Sequence, residues 1–113
     1  MTDVRLILST VDSEAAARVL ATALVEDRLA ACVTIVPGVQ SVYRWQGAVE
    51  SAGEWLLVIK TGADQVETLL AALAERHPYE VPEGLVLTVS NGLPDYLAWV
   101  ADSVTDAAGK SGE

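Results

Sequence analysis

Residues Val33 to Thr61 read VTIVPGVQSVYRWQGAVESAGEWLLVIKT, two β-like runs, about Val33 to Trp45 and about Val49 to Thr61, separated by Gln46-Gly47. A short turn signal between two runs rich in β-branched and aromatic residues predicts a hairpin. Pro37-Gly38 interrupts the first run and marks a bulge or bend. At about 3.3 Å per residue, a strand from Val33 to Trp45 is roughly 43 Å long, more than two helices can cover. Trp55-Leu56-Leu57-Val58-Ile59 is continuously apolar, so both faces of the second strand need cover, and so small a chain has helices enough for one. The other face predicts a second subunit, in a symmetric homo-oligomer.

Working outward, Val4 to Val11 has strand character, with Val4, Leu6 and Leu8 on one face and Ile7 making the other partly apolar. Asp12 and Ser13 offer helix caps, and from Glu14 to about Arg28 the residues Ala16, Val19, Leu20, Ala23 and Leu24 follow helical spacing. After the hairpin, Gly62-Ala63-Asp64 opens a second helix whose apolar stripe is Val66, Leu69, Leu70 and Leu73, with His77 in line. Pro78 ends that helix, and the following His77-Pro78-Tyr79-Glu80-Val81-Pro82 makes a stiff corner because each proline forces its predecessor into extended backbone. Leu85 to Ser90 predicts a further strand, stopped by Asn91-Gly92. Pro94 fits the first turn of a last helix carrying Tyr96, Leu97, Val100 and Val104, with Trp99 beside them. The order β, α, long hairpin, α, β, terminal helix matches an α+β, ferredoxin-like split βαβ domain over residues 1–104. Residues 105–113 are small and polar and predict a flexible C-terminal tail.

Composition narrows the function. With 7 Lys and Arg against 16 Asp and Glu, a net charge of -9, the chain lacks the driving force for binding phosphate backbones, so no nucleic-acid partner is expected. The single cysteine, Cys32, forms no intrachain disulfide, Met1-Thr2-Asp3-Val4-Arg5 has an acid where a signal peptide is basic, and no apolar run spans a membrane. A cytoplasmic protein with no membrane partner is expected. Gly109-Lys110-Ser111 ends like a phosphate loop, but Val104 stands where the first glycine is required, so no nucleotide motif is present.

The chemically distinctive residues are few. His77, Tyr79 and Glu80 share the corner and serve either a metal or proton-transfer site or a simple helix terminus, since imidazole and carboxylate suit divalent transition metals. Cys32, flanked by Ala31 and Val33, is either a soft ligand or a small buried hydrophobe; a reactive thiolate needs a positive charge, and none is adjacent in sequence. Glu50 and Glu54 fall on one strand face, Lys60 is placed to pair with one of them or with a ligand, and Tyr43, Trp45 and Tyr79 can line a cleft. No nucleophile or cofactor motif accompanies His77, so a non-enzymatic protein is expected, with a small acid/base enzyme using His77 as the alternative.

Leu29-Ala30-Ala31-Cys32-Val33, Pro37-Gly38, Tyr43-Arg44-Trp45-Gln46-Gly47, Glu50, Glu54, Lys60-Thr61, His77-Pro78-Tyr79-Glu80-Val81-Pro82 and Tyr96-Leu97-Ala98-Trp99, taken in order, closely resemble the CutA divalent-cation tolerance family. The resemblance is colinear over roughly residues 4 to 104. It implies a ferredoxin-like subunit in a PII-like homotrimer, a cytoplasmic location, and a role in the response to copper or another divalent cation. By position it also implies Cys32, His77 and Glu80 as metal ligands and Cu(II) as a candidate ion. A PII-like signalling or scaffold trimer, binding a small ligand or protein in clefts between subunits, is the alternative.

Overall fold

The Gln46-Gly47 turn is left-handed at both central residues, with φ of 51° and 83°, the signature of the type I′ turn whose twist matches that of a hairpin. The computed structural model describes residues 1–105 of the chain; the expected tail from 106 onward and the Gly109-Lys110-Ser111 segment lie outside the described residues. The turn joins β2 (Cys32–Trp45) to β3 (Ala48–Gly62), and β1 (Val4–Val11) and β4 (Leu85–Thr88) complete a sheet of order β2-β3-β1-β4. All three neighbouring pairs are antiparallel. With α1 (Glu14–Glu26) and α2 (Val66–Arg76) as crossovers, this is the ferredoxin-like arrangement; α3 (Pro94–Ser103) follows. A non-glycine residue in left-handed backbone is strained, and asparagine tolerates that conformation better than glutamine. Gln46→Asn should therefore raise stability by about 0.5–1 kcal/mol, read as a higher urea midpoint.

The bulge falls where Pro37-Gly38 predicts it. Val36 opposes Leu56 and Val39 opposes Glu54, so Pro37 and Gly38 together face the single residue Trp55, with Gly38 at φ 73°. Because side chains alternate along a strand, the extra residue inverts the pattern. Before the bulge the even-numbered residues of β2 share a face with even-numbered β3; after it Val39, Ser41, Tyr43 and Trp45 do.

One sheet face carries the core. Ile7, Val11, Leu57 and Ile59 are fully buried against Leu20 and Leu24 of α1 and Leu69 and Leu73 of α2. Burying each such side chain stabilises by about 1.5–3 kcal/mol. On β1 the helix-covered set is thus Ile7, Ser9 and Val11, whereas Leu6 and Leu8, expected on the main apolar face, are only half-buried on the other side. On α1 the buried residues are Ala17, Leu20, Ala21 and Leu24, and Val19, expected on the stripe, is 71% exposed. Alanines at 17 and 21 let the helix backbone approach the sheet closely, which apolarity counts alone do not register.

Ser13 caps α1, its Oγ accepting from the Ala16 N–H at 3.0 Å. At the far end of the sheet, Val100 and Val104 of α3 pack on Val4 and Ala31. Gly62 makes room there: a Cβ would stand 3.3 Å from Val104 Cγ2. Beyond that contact and Tyr79 over Glu54, the face opposite α1 and α2 is bare among the described residues. It carries Leu6, Leu8, Leu56 and Val58, half-buried, and Leu85 and Leu87, exposed.

Candidate functional site

The proline corner is held by its own side chains. Pro78 forces His77 into extended backbone, φ -75° and ψ 138°, while the His77 N–H still closes α2 on the Leu73 carbonyl at 2.9 Å. β4 pairs with β1 only between Arg5 and Leu8, so the Thr10 carbonyl is free of the sheet on that side. His77 Nε2–H donates to it at 2.8 Å, and His77 Nδ1 accepts the Tyr79 backbone N–H at 3.1 Å. The hydrogen-bond network therefore assigns a neutral imidazole protonated on Nε2, with both nitrogens engaged.

Tyr79 lies against that ring, centroids 4.7 Å apart, and its hydroxyl donates to Glu54 Oε2 at 2.6 Å. Glu54 is 6% exposed, so this short charge-assisted bond compensates for much of the carboxylate's lost hydration. Burial pushes the Tyr79 phenol well above the ordinary tyrosine value, helped by the hydrogen bond to Glu54 and by the negative charges of Glu54 and Asp12. The phenol is thus a fixed donor at neutral pH. His77, Tyr79, Glu54 and the Thr10 carbonyl form one polar knot at the end of β1, with Asp12 and Tyr43 within electrostatic reach.

Cys32 is elsewhere. It opposes Lys60, which opposes Leu6, whereas His77 docks at Thr10, four residues and about 13 Å further along β1. Lys60 Nζ donates to Thr34 Oγ1 and lies 3.7 Å from Cys32 Sγ, so the thiol does have a cationic neighbour, 28 residues away in sequence. Lys60 meets neither Glu50 nor Glu54. Glu80 is exposed, and among the described residues no three His, Cys, Asp or Glu side chains converge in a way that would hold a metal ion. Within one chain the donors Cys32, His77 and Glu80 do not fit a metal centre.

The remaining candidates line the hairpin arm. Glu50 opposes Tyr43 on the face shared with Glu54, and all of Tyr43, Trp45 and Glu50 are exposed. Locally, Asp12 signals only a helix cap, and neither the Thr10 carbonyl nor the Thr34 hydroxyl is marked as a hydrogen-bond partner of His77 or Lys60 before the strands are in register.

A family model described as CutA1 divalent ion tolerance protein matches residues 5–103. A divalent-cation tolerance protein CutA from Pectobacterium atrosepticum is 45% identical over 102 residues, spanning 90% of this chain and 93% of the relative. The crystal structure of CutA from Xylella fastidiosa superposes with a TM-score of 0.90 at 44% identity, covering 92% of this chain and all of that one. A protein from Archaeoglobus fulgidus described as periplasmic divalent cation tolerance protein CutA superposes at 0.87 with 29% identity, covering 90% and 99% of the two chains. Among the described residues no helix is long and apolar enough to cross a membrane.

Proposed function

Because the chain belongs to the CutA1 divalent ion tolerance family, we propose that it acts as a non-enzymatic homotrimer in the response to divalent cations, Cu(II) or a similar ion. The match across residues 5–103 carries this reading. The trimer is supported by the bare apolar face of β1, β3 and β4, whose exposed Leu85 and Leu87 resemble half of a subunit interface. A cytoplasmic site of action belongs to the same proposal and is checked by cell fractionation with specific antibody.

With both His77 nitrogens engaged and Cys32 far along the strand, cation binding is proposed to be weak, or to draw on donors of different subunits. A calorimetric titration of the wild type with Cu(II) should give a Kd of about 1 μM or weaker, and His77→Ala should weaken it further while the assembly persists. A tight site on the isolated subunit, or binding unchanged by His77→Ala, would sink this part.

The same closed knot favours a second reading. A histidine whose nitrogens are both satisfied internally is a rigid wall, which suits a PII-like trimer binding a small ligand or a protein in its inter-subunit clefts. Thermal-shift screening separates the two, since a ligand that binds the native state raises Tm increasingly as its concentration exceeds its Kd. A metabolite raising Tm where divalent ions do not would favour the second.

A further inference from the structure

Asn91 is the only asparagine in the chain, and Gly92 follows it. The segment after β4 is tied to β1 as far as Val89, whose N–H donates to the Val4 carbonyl at 3.3 Å, and α3 begins at Pro94. Between these anchors Asn91 and Gly92 are exposed. The Gly92 N–H has no backbone acceptor among the described residues and donates instead to Asn91 Oδ1 at 2.9 Å. Only the oxygen of the side-chain amide can accept it. Asn91 Cγ, an electrophilic carbon one bond from that oxygen, is thereby held beside a backbone nitrogen.

Packing favours the glycine that leaves this nitrogen unshielded. A Cβ at position 92 would stand 3.1 Å from Leu97 Cδ2 and 3.4 Å from its Cγ, the first of these tighter than ordinary carbon contact. Leu97 is itself fixed to the loop by its N–H, which donates to the Leu93 carbonyl at 3.0 Å. The seat of α3 on its own loop therefore selects the residue that makes Asn91 vulnerable.

We propose that Asn91 is a self-modification site, where the chain closes a succinimide through its own Gly92 nitrogen and opens it to aspartate and isoaspartate. The Gly92 nitrogen gives its proton to solvent and attacks Asn91 Cγ, forming a C–N bond. The bond from Cγ to the side-chain nitrogen breaks, and that nitrogen takes a proton from solvent and leaves as ammonia. One water, which the exposed loop admits, then adds to either ring carbonyl. Breaking the ring nitrogen's bond to Cγ yields aspartate; breaking its bond to the main-chain carbonyl carbon yields isoaspartate. The sequence consumes no oxidant and needs no metal. Either product adds a negative charge two residues before Leu93, the N-cap of α3, and isoaspartate also lengthens the main chain there by one carbon.

The test is peptide mapping by mass spectrometry of the full chain, kept in neutral buffer at physiological temperature, with synthetic aspartyl and isoaspartyl peptides as chromatographic standards. The peptide holding Asn91 should convert to both products. Gly92→Ala should slow conversion by about tenfold or more. Because its methyl group meets Leu97, the double variant Gly92→Ala/Leu97→Ala, which makes room for it, should be equally slow. The proposal is overturned if Asn91 stays intact after an unstructured peptide of residues 85–97 has half converted. Aspartate without isoaspartate, or either Gly92 variant converting as fast as the wild type, would also overturn it, since no ring would then have formed through that nitrogen.

Discussion

Val58→Asp should convert the proposed homotrimer into folded monomers. Val58 lies at the centre of the bare face, between Leu8 of β1 and Thr34 of β2, and is half-buried in the single chain. The helix-covered core of Ile7, Val11, Leu57 and Ile59 is on the opposite side, so the new carboxylate meets water in the monomer and costs the subunit little. In the trimer it would be enclosed by apolar side chains with no partner. An unpaired buried charge costs at least about 3–5 kcal/mol, and a symmetric ring repeats that cost at every interface. Sedimentation should show the monomer mass, with circular dichroism retaining the native helix and strand signal. A variant that keeps the wild-type mass would mean that this face is not the interface; a variant that loses its secondary structure would mean that the face is part of the subunit's own core.

Tyr79→Phe is the second large effect, expected to lower unfolding free energy by about 1.5–3 kcal/mol at neutral pH, the range for a hydrogen bond to a charged group. The phenylalanine keeps the ring against His77 but leaves Glu54, 6% exposed, without its donor. The phenol is an acid whose neutral form is favoured in the fold. Its contribution is therefore complete below about pH 10, where an unfolded tyrosine ionises, and is lost as pH rises above that value. The wild type should lose stability in that alkaline range, and Tyr79→Phe should lose less. A double-mutant cycle with Glu54→Gln isolates the pair, because the two changes share one bond. Additive effects, or an alkaline profile identical in wild type and Tyr79→Phe, would show that the knot contributes nothing of its own.

Much of the fold is legible in the residues because it depends on local pattern. β1 spans Val4–Val11 as its periodicity predicts, Pro94 begins α3, and the Pro37-Gly38 bulge and the Gln46-Gly47 turn occur where glycine can take positive φ. The apolar character of both faces of β3 is likewise legible, and among the described residues α1 and α2 cover only one of them. The helix faces are less legible: helical spacing places Val19 on the apolar stripe, yet it is exposed, because small alanines at 17 and 21 face the sheet instead.

The candidate site divides along the same line. Sequence determined the rigid corner at Pro78 and the presence of His77, Tyr79, Glu54, Lys60 and Cys32, since backbone restriction and side-chain chemistry belong to each residue where it stands. Only the tertiary structure decided that Tyr79 meets Glu54, that His77 is closed off on Thr10, and that Lys60 sits beside Cys32 rather than beside an acid. Those contacts cross 25, 67 and 28 residues respectively, and each depends on strand register. In a structure of period two, one extra residue at the bulge moves Tyr43 and Trp45 from one face to the other, and no local pattern fixes which residue will then stand opposite them.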